Sequence, residues 1–301
     1  MQKILLYYTF APIADPEAVR LWQRATCEKL NLTGRILIAE HGINGTVGGE
    51  LADLKAYVKE TKRYPSFKNM AFKWSDGSRE DFPKLIVKVR PEIVTFGISD
   101  KIQVNEDGII GGGTHLKPEQ VHALIEEKGS DNVVFFDGRN EYEAATGKFK
   151  NAIVTKAQRT RDFKDELKKP EYNELKDKTV VTYCTGGIRC EVLTVLMKEQ
   201  GFNDVYQIDG GIVKYGETYG DEGLWEGALY VFDDRMGIKF SDDAKDIGSC
   251  IFCGAKTSGY MDCSNSDCNK LLVACITCQT KQYCPDCLET KQLTRSAEYQ
   301  A

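Results

Sequence analysis

The feature that most constrains the fold is an apolar run that leads into a cysteine, two glycines and a helical pattern: Val180-Val181-Thr182-Tyr183-Cys184-Thr185-Gly186-Gly187-Ile188-Arg189-Cys190. The β-branched residues before Cys184 predict a buried strand, and the apolar spacing from Arg189 onward predicts a helix. Between a strand end and a helix start, backbone N–H groups converge and the helix dipole is positive, which favours a thiolate over a thiol. Gly186 and Gly187 let the backbone curl around the sulfur, and Arg189 adds a fixed positive charge. The sequence therefore predicts a loop able to hold a sulfur anion or a persulfide.

Length and composition indicate a multidomain globular protein. The chain has 301 residues, 42% hydrophobic and 28% charged, which is enough for two or three domains. No stretch approaches the ~20 apolar residues of a membrane span, and the apolar start 1–8 lacks a signal-peptide cleavage site. We therefore expect a cytoplasmic location and no membrane contact. The net charge of −5 excludes a globally basic nucleic-acid-binding protein, so a nucleic-acid partner needs a local basic patch.

The first part of the chain, residues 1–97, predicts a small α/β domain. Its strand and helix patterns follow the order β-α-β-β-α-β, with an Asn-Gly turn signal at Asn44-Gly45. This order predicts a ferredoxin-like (acylphosphatase-like) split βαβ sandwich. Residues 98–116 are glycine-rich and polar, and we interpret them as a linker with a short strand around Gln103.

Residues 117–222 alternate helix and strand, which predicts a parallel sheet with helices on both faces. Ligands bind at the carboxyl ends of such strands, where Cys184 falls. In residues 223–301 the regular periodicity fades, and cysteines dominate instead. The fold class is therefore mixed α/β and α+β in several domains.

Eight of the eleven cysteines lie in the last part of the chain, in four pairs: Cys250 and Cys253, Cys263 and Cys268, Cys275 and Cys278, Cys284 and Cys287. Without a secretion signal, this clustering predicts two structural Cys₄ zinc sites rather than disulfides; an iron–sulfur cluster is the lesser alternative. Two pairings are open. A cross-brace joins the first pair with the third and the second with the fourth, whereas sequential pairing joins neighbours.

A locally basic segment precedes the strand that leads to Cys184. Within it, Arg159 and Arg161 are the predicted contacts to nucleic-acid phosphates, although acidic residues interleave and a solvated helix face is the alternative. Cys190 has two interpretations: it resolves an oxidised Cys184, or it packs inward as a small helix residue. The three histidines, His41, His115 and His122, are scattered, so a Cys–His pair with Cys184 is not predicted.

Two resemblances to known families follow from these motifs. The segments Asp137-Gly138-Arg139, Cys184 to Arg189 and Asp209-Gly210-Gly211 resemble, in that order, the motifs of a rhodanese domain. In that family the loop cysteine takes up sulfur as a persulfide. A ferredoxin-like unit with Gly42-Ile43-Asn44-Gly45-Thr46, then the rhodanese unit and a cysteine-rich tail resemble the bacterial tRNA uridine(34) hydroxylase family over nearly the whole chain.

This second resemblance implies an oxidoreductase that hydroxylates C5 of the wobble uridine of tRNA, with molecular oxygen as co-substrate. Cys184 matches the family's loop cysteine and is the implied catalytic residue, with Thr185 to Cys190 as its active-site loop. No flavin or nicotinamide phosphate-binding motif is visible. A sulfurtransferase that passes persulfide sulfur from Cys184 to an acceptor is the alternative, and a zinc-stabilised binding module without catalysis is the third hypothesis. The oligomeric state is open.

Overall fold

The computed structural model describes residues 1–232, 236–268 and 270–290 of the chain. It divides into two compact units. The first unit comprises residues 1–114, 159–176 and 188–205, and the second comprises residues 115–158, 177–187 and those from 206 onward. Among the described residues, no helix combines the length and the hydropathy that crossing a membrane requires.

The first part of the chain forms a split βαβ sandwich. Its elements are β1 (Gln2–Phe10), α1 (Pro16–Lys29), β2 (Thr33–Ala39), β3 (Gly42–Glu50), α2 (Leu51–Thr61), β4 (Phe72–Ser75) and β5 (Leu85–Val89). The strand order is β4-β1-β3-β2-β5, in which only β5 and β2 run parallel to each other. The predicted ferredoxin-like order is therefore confirmed, and β5 extends the sheet at one edge.

The start of α1 and the packing of both helices follow from local sequence. The Asp15 carboxylate accepts a hydrogen bond from the N–H of Ala18 at 2.9 Å, and Pro16 occupies the first turn, where its missing N–H costs nothing. Apolar side chains of α1 and α2, such as Val19 and Leu54, share one buried core with Ile36 of β2. Both helices therefore cover the same face of the sheet.

The segment predicted as a linker contains three short strands, β6 (Val104–Asn105), β7 (Gly108–Ile109) and β8 (Thr114–Leu116). β6 and β7 form a hairpin, in which the Asn105 side chain accepts the N–H of Asp107 at 2.9 Å. β8 is an edge strand of the central sheet. The short strand predicted around Gln103 corresponds to β6, but its partner β7 was not predicted, because two-residue strands carry no readable periodicity.

The central part of the chain is the predicted parallel α/β sheet. Its elements are α3 (Pro118–Lys128), β9 (Val133–Asp137), α4 (Glu141–Ala144), β10 (Gly147–Phe149), β11 (Ile153–Val154), α5 (Phe163–Glu166), β12 (Thr179–Tyr183), α6 (Ile188–Glu199), β13 (Asp204–Ile208) and α7 (Gly211–Tyr219). The strand order is β11-β9-β12-β13-β8, and β9 runs parallel to both β11 and β12. All five residues of β12 are buried, as its β-branched sequence predicts. The prediction of a central parallel sheet is confirmed, and the middle strand of that sheet ends immediately before Cys184.

In the cysteine-rich part, the strands among the described residues are short: β14 (Trp225–Gly227), β15 (Leu229–Tyr230), β16 (Gly237–Ile238), β17 (Tyr260–Asp262) and β18 (Leu271–Val273). A 3₁₀ helix spans Cys278–Lys281, and residues 285–290 are helical. β14 pairs with β10, β15 with β16, and β17 with β18, all antiparallel. The buried core around β17 and β18 consists largely of cysteines, with Met261, Leu272 and Ala274 as its other buried residues. So small an apolar core needs a further source of stability.

Candidate active site and metal centres

The loop after β12 curls around the sulfur of Cys184 as its glycines predict. The N–H of Gly187 donates a hydrogen bond to Cys184 Sγ at 3.2 Å, and Gly187 has a φ of 100°, a conformation that favours glycine. Helix α6 starts at the next residue, Ile188. Cys184 itself is completely buried, so its reaction with a nucleotide requires the sulfur to become exposed.

The first residues of α7 hold the backbone of this loop through two hydrogen bonds. The N–H of Ile212 donates to the carbonyl of Cys184 at 2.9 Å, and the N–H of Val213 donates to that of Thr185 at 3.1 Å. Gly211 has a φ of 66°, and a Cβ atom there would lie 2.4 Å from the carbonyl oxygen of Cys184. Position 211 therefore accepts only glycine. The glycine pair was visible in the sequence, but its contact with the Cys184 backbone was not.

A buried ion pair fixes the segment after β9. Arg139 Nη2 lies 2.6 Å from Asp137 Oδ2, and neither side chain has any exposed surface. Nη2 also donates to the carbonyl of Gly147 at 2.6 Å, and the guanidinium lies 5.2 Å from the ring centroid of Trp225. Burial opposes the charge of Arg139, but the Asp137 carboxylate outweighs this and raises the pKa of the guanidinium. The pair therefore holds β9, β10 and β14 together.

Replacing Arg139 with methionine is expected to destabilise the protein by about 3–5 kcal/mol, because it leaves the Asp137 carboxylate buried without its partner. The measurement is the urea midpoint of the full chain with its metals. Lys168→Met is the matched control, since Lys168 and Asp165 form an exposed ion pair at 2.8 Å whose loss changes little. A wild-type midpoint for Arg139→Met would contradict a structural role of the pair.

The other residues of the predicted site occupy different surroundings. Arg189 and Cys190 are buried in the first turn of α6, within the first unit. Arg159 and Arg161 also belong to the first unit, where both are exposed at the short 3₁₀ turn Thr160–Asp162. Cys184 belongs to the second unit. Because both arginine side chains are exposed, they are accessible for a phosphate contact.

The three histidines do not form a common site. The Nε2 atom of His41 is buried without a hydrogen-bond partner, and burial lowers the pKa of this imidazole. His115 Nε2 lies 2.6 Å from Gln207 Nε2, and His122 Nε2 lies 2.8 Å from the hydroxyl of Tyr215. Within the described part of the chain, the groups of side chains close enough to share a metal ion consist of cysteines alone.

The eight paired cysteines form two groups of four. One group is Cys250, Cys253, Cys275 and Cys278, and the other is Cys263, Cys268, Cys284 and Cys287. Within each group all sulfur atoms lie within 4.8 Å of one another. This is the cross-brace, in which the first pair joins the third and the second joins the fourth. The β17–β18 hairpin produces it, because it brings the flanking pairs together.

The distances between sulfurs match a tetrahedral metal site. Cys253 Sγ and Cys275 Sγ lie 3.7 Å apart, and Cys268 Sγ and Cys284 Sγ lie 3.8 Å apart. A tetrahedral zinc ion with Zn–S bonds of about 2.3 Å places its sulfurs about 3.8 Å apart, whereas a disulfide brings them to about 2.05 Å. The geometry therefore fits metal coordination and not disulfide bonds.

Hydrogen bonds favour the thiolate form at one cysteine of each group. Burial raises the pKa of Cys250, but three backbone N–H donors outweigh it and lower that pKa to about 6. In the other group, burial likewise raises the pKa of Cys263, but backbone N–H donors outweigh it and lower that pKa to about 7. Burial and neighbouring cysteines raise the pKa of Cys278 to about 12, and the pKa of Cys287 also rises to about 12 although Asn265 donates to its sulfur. Asn265 Nδ2 donates to Cys287 Sγ at 3.2 Å, a contact that the sequence pattern did not reveal. Hydrogen bonds from neighbouring side chains to the ligand atoms orient those ligands around a metal.

The cysteine-rich part contacts the segment that Arg139 fixes. The hydroxyl of Tyr260 in β17 donates to the carbonyl of Tyr142 at 2.8 Å and lies 2.8 Å from the hydroxyl of Thr146. Next to Thr146, Gly147 pairs with Gly227 of β14. The cysteine clusters and the Arg139 ion pair therefore stabilise one continuous region of the second unit.

Comparison with known proteins matches this architecture from end to end. Family models for a UPF0176 acylphosphatase like domain, a Rhodanese-like domain and a Rhodanase C-terminal domain match residues 2–93, 117–218 and 226–290. A protein of Corynebacterium kroppenstedtii named tRNA uridine(34) hydroxylase is 57% identical over 290 residues, which cover 95% of this chain and 98% of that protein. The chain belongs to the tRNA uridine(34) hydroxylase family. This confirms the resemblance inferred from the sequence.

Other members of the tRNA uridine(34) hydroxylase family match over similar lengths. The Corynebacterium jeikeium protein of that name is 62% identical over 92% of this chain and 89% of its own length. The one from Arthrobacter sp. is 59% identical over 92% of this chain and 94% of its own length. Solved structures align over less: a rhodanese-like domain from Anabaena sp. covers 38% of this chain and 78% of its own, with 18% identity and a TM-score of 0.31. The family assignment therefore rests on the sequence relatives.

Proposed function

We propose that this chain hydroxylates C5 of uridine 34 in tRNA, with Cys184 as the reacting residue and molecular oxygen as the source of the added atom. The observation that carries this proposal is the identity of 57–62% with proteins named tRNA uridine(34) hydroxylase, over at least 92% of the chain. The proposed site contains Cys184 and the loop Thr185–Cys190, with Arg159 and Arg161 as tRNA contacts. The proposed location is the cytoplasm.

The geometry of the loop supports Cys184 as the reacting group. Its sulfur accepts the N–H of Gly187 and lies just before the N-terminus of a twelve-residue helix, α6. Both features stabilise negative charge on sulfur. Ile212 and Gly211 hold the backbone of the loop in place around this sulfur.

Isotope labelling tests the oxygen source directly. In the proposed balance, one atom of O₂ enters C5 as the hydroxyl and the other leaves as water, with two electrons and two protons from a thiol reductant. A tRNA transcript with uridine at position 34 is incubated with the protein and a thiol reductant under ¹⁸O₂, and separately under ¹⁶O₂ in H₂¹⁸O. Mass spectrometry of the nucleosides should show labelled 5-hydroxyuridine only under ¹⁸O₂. Label from water, or no hydroxylated product, would refute the oxygen-dependent reaction.

A sulfurtransferase is the second candidate function, because the Rhodanese-like domain model matches residues 117–218 and includes Cys184. The two functions differ in their product. Thiosulfate and the protein are therefore incubated with the same tRNA and with cyanide as a general sulfur acceptor. Thiocyanate or a thiolated nucleoside without 5-hydroxyuridine would favour sulfur transfer over hydroxylation.

We also propose that each group of four cysteines holds one structural zinc ion. Four sulfurs complete a tetrahedral shell and leave no position for a water ligand, which is typical of structural rather than catalytic zinc. We propose that the chain is organised in four parts: an acylphosphatase-like domain (1–97), a linker (98–116), a rhodanese domain (117–222) and a zinc-binding tail (223–301). The short strands and small core of the tail support a structural role for its metals.

A further inference from the structure

The sheet of the first part of the chain has one face that the helices leave uncovered. Ile36 of β2 and Val87 of β5 point into the core shared with α1 and α2. Because side chains alternate along a strand, the neighbouring residues Arg35 and Lys88 point to the opposite face. Both are exposed, as is Arg90, the next residue of that face after Lys88. The uncovered face is therefore basic where β2 and β5 lie.

The pairing register brings these cations close together. Arg35 lies opposite Ile86, and Lys88 lies opposite Leu37, two residues farther along the parallel pair. With strands about 4.8 Å apart and a rise of about 3.3 Å per residue, Arg35 and Lys88 are diagonal neighbours. Arg90 stays in register, since its N–H donates to the carbonyl of Ile38 at 2.8 Å. Three cations thus share one small area.

Few carboxylates oppose this charge. The 3₁₀ turn Arg79–Asp81 packs on the same face beside Thr33 and Gly48, and it adds the exposed Glu80 as well as Arg79. Glu50 is the only carboxylate in β1 to β5, all of which the structure describes, and it binds the N-terminal amine of Met1 at 2.9 Å. Toward β1, the face is partly covered, because the hydroxyl of Tyr8 donates to Glu191 of α6 at 3.3 Å. The open, basic part of the face is therefore its β2–β5 side, although the whole chain is acidic.

We propose that this basic face, formed by Arg35, Lys88 and Arg90, binds the phosphate backbone of the tRNA substrate. The inference rests on the proposed function, which supplies the polyanion. Charge complementarity selects RNA: phosphates are the dominant contacts in nucleic-acid binding, and cations spaced along adjacent strands meet successive phosphates. Leu37 lies opposite Lys88 and Ile86 lies opposite Arg35, and both of these apolar side chains between the cations are half-buried.

The test is a pair of double variants of the full, metal-loaded chain. Arg35→Gln with Lys88→Gln removes two charges from the basic face. Lys55→Gln with Lys59→Gln removes two exposed charges from α2, on the other side of the sheet. Affinity for a tRNA transcript with uridine at position 34 is measured between low and moderate salt. The sheet variant should bind on the order of tenfold more weakly, with a log–log salt slope smaller by about 2; the α2 variant should match wild type.

Kinetics separate this surface from the chemistry. For the sheet variant, KM for tRNA should rise about as much as the affinity falls, with kcat unchanged. Equal affinities and salt slopes for the two double variants would overturn the proposal. So would a sheet variant that binds tRNA normally but changes the oligomeric state, since that assigns the face to a second copy of the chain. Wild-type protein that binds tRNA through this face but forms no 5-hydroxyuridine would instead refute the proposed function.

Discussion

Replacing Cys184 with serine is expected to lower the rate of uridine 34 hydroxylation at least about 10³-fold, because an activated thiol ionises to a thiolate near neutral pH and an alcohol does not. Serine has nearly the same shape, and its oxygen still accepts the N–H of Gly187. The fold should therefore survive, with an unchanged melting temperature. The measurement is the yield of 5-hydroxyuridine in a single-turnover reaction, by mass spectrometry of the nucleosides.

Cys190→Ser is the matched control, since Cys190 is equally buried and lies in the same segment. In reducing buffer it should react at nearly the wild-type rate. A brief peroxide treatment separates the two interpretations of Cys190: faster irreversible loss of activity in the variant indicates a resolving cysteine, and equal loss indicates packing. Full activity of Cys184→Ser would remove the loop cysteine from both the hydroxylase and the sulfurtransferase mechanism.

The second large expected effect is a loss of bound zinc, and variants that replace two cysteines at once test it most clearly. In the cross-brace, Cys250 and Cys275 belong to one site, so replacing both with serine should leave about one zinc ion per chain. Cys250 and Cys263 belong to different sites, so replacing both should leave almost none. Sequential pairing makes the opposite prediction for these two variants. Elemental analysis of freshly purified protein gives the zinc content per chain.

Loss of both ions should also unfold the metal-binding part, because structural zinc contributes about 10–16 kcal/mol to small zinc-dependent domains. A chelator that removes the metal from wild-type protein should lower the melting temperature and expose the segment around Tyr260 to proteolysis. Cys27→Ser, outside the metal-binding part, is the control and should retain two ions. Freshly purified protein without zinc would contradict the metal assignment itself.

Much of the fold could be predicted from the sequence where patterns are long and uniform. The run before Cys184 is β-branched and fully buried, and the apolar spacing after Arg189 extends over three turns, so β12 and α6 lie close to their expected bounds. Of the β6–β7 hairpin, only a short strand near Gln103 was predicted and its pairing was not, because strands of two residues depend on tertiary contacts and not on periodicity.

The candidate site, like the fold, could be predicted from the sequence only in part. The spacing of the cysteines identified which residues group together in pairs, but not which pairs share a site, because that depends on the β17–β18 hairpin between them. Gly211 was visible only as part of a motif. Its close approach to the Cys184 carbonyl is a contact between distant segments, which no local pattern encodes. Hydroxylation itself followed from family resemblance, since an activated thiol is equally suited to sulfur transfer.

The interleaved cysteine clusters also have a consequence for biosynthesis. Translation proceeds from the N-terminus, so a sequential arrangement would complete its first site once Cys268 had been made. The observed arrangement keeps the first site open until Cys278 is made and the second until Cys287. On a nascent chain, completion of the first metal shell is therefore postponed from Cys268 to Cys278. A ribosome stalled before Cys275 would carry four cysteines of this region, two for each site, and no complete metal shell.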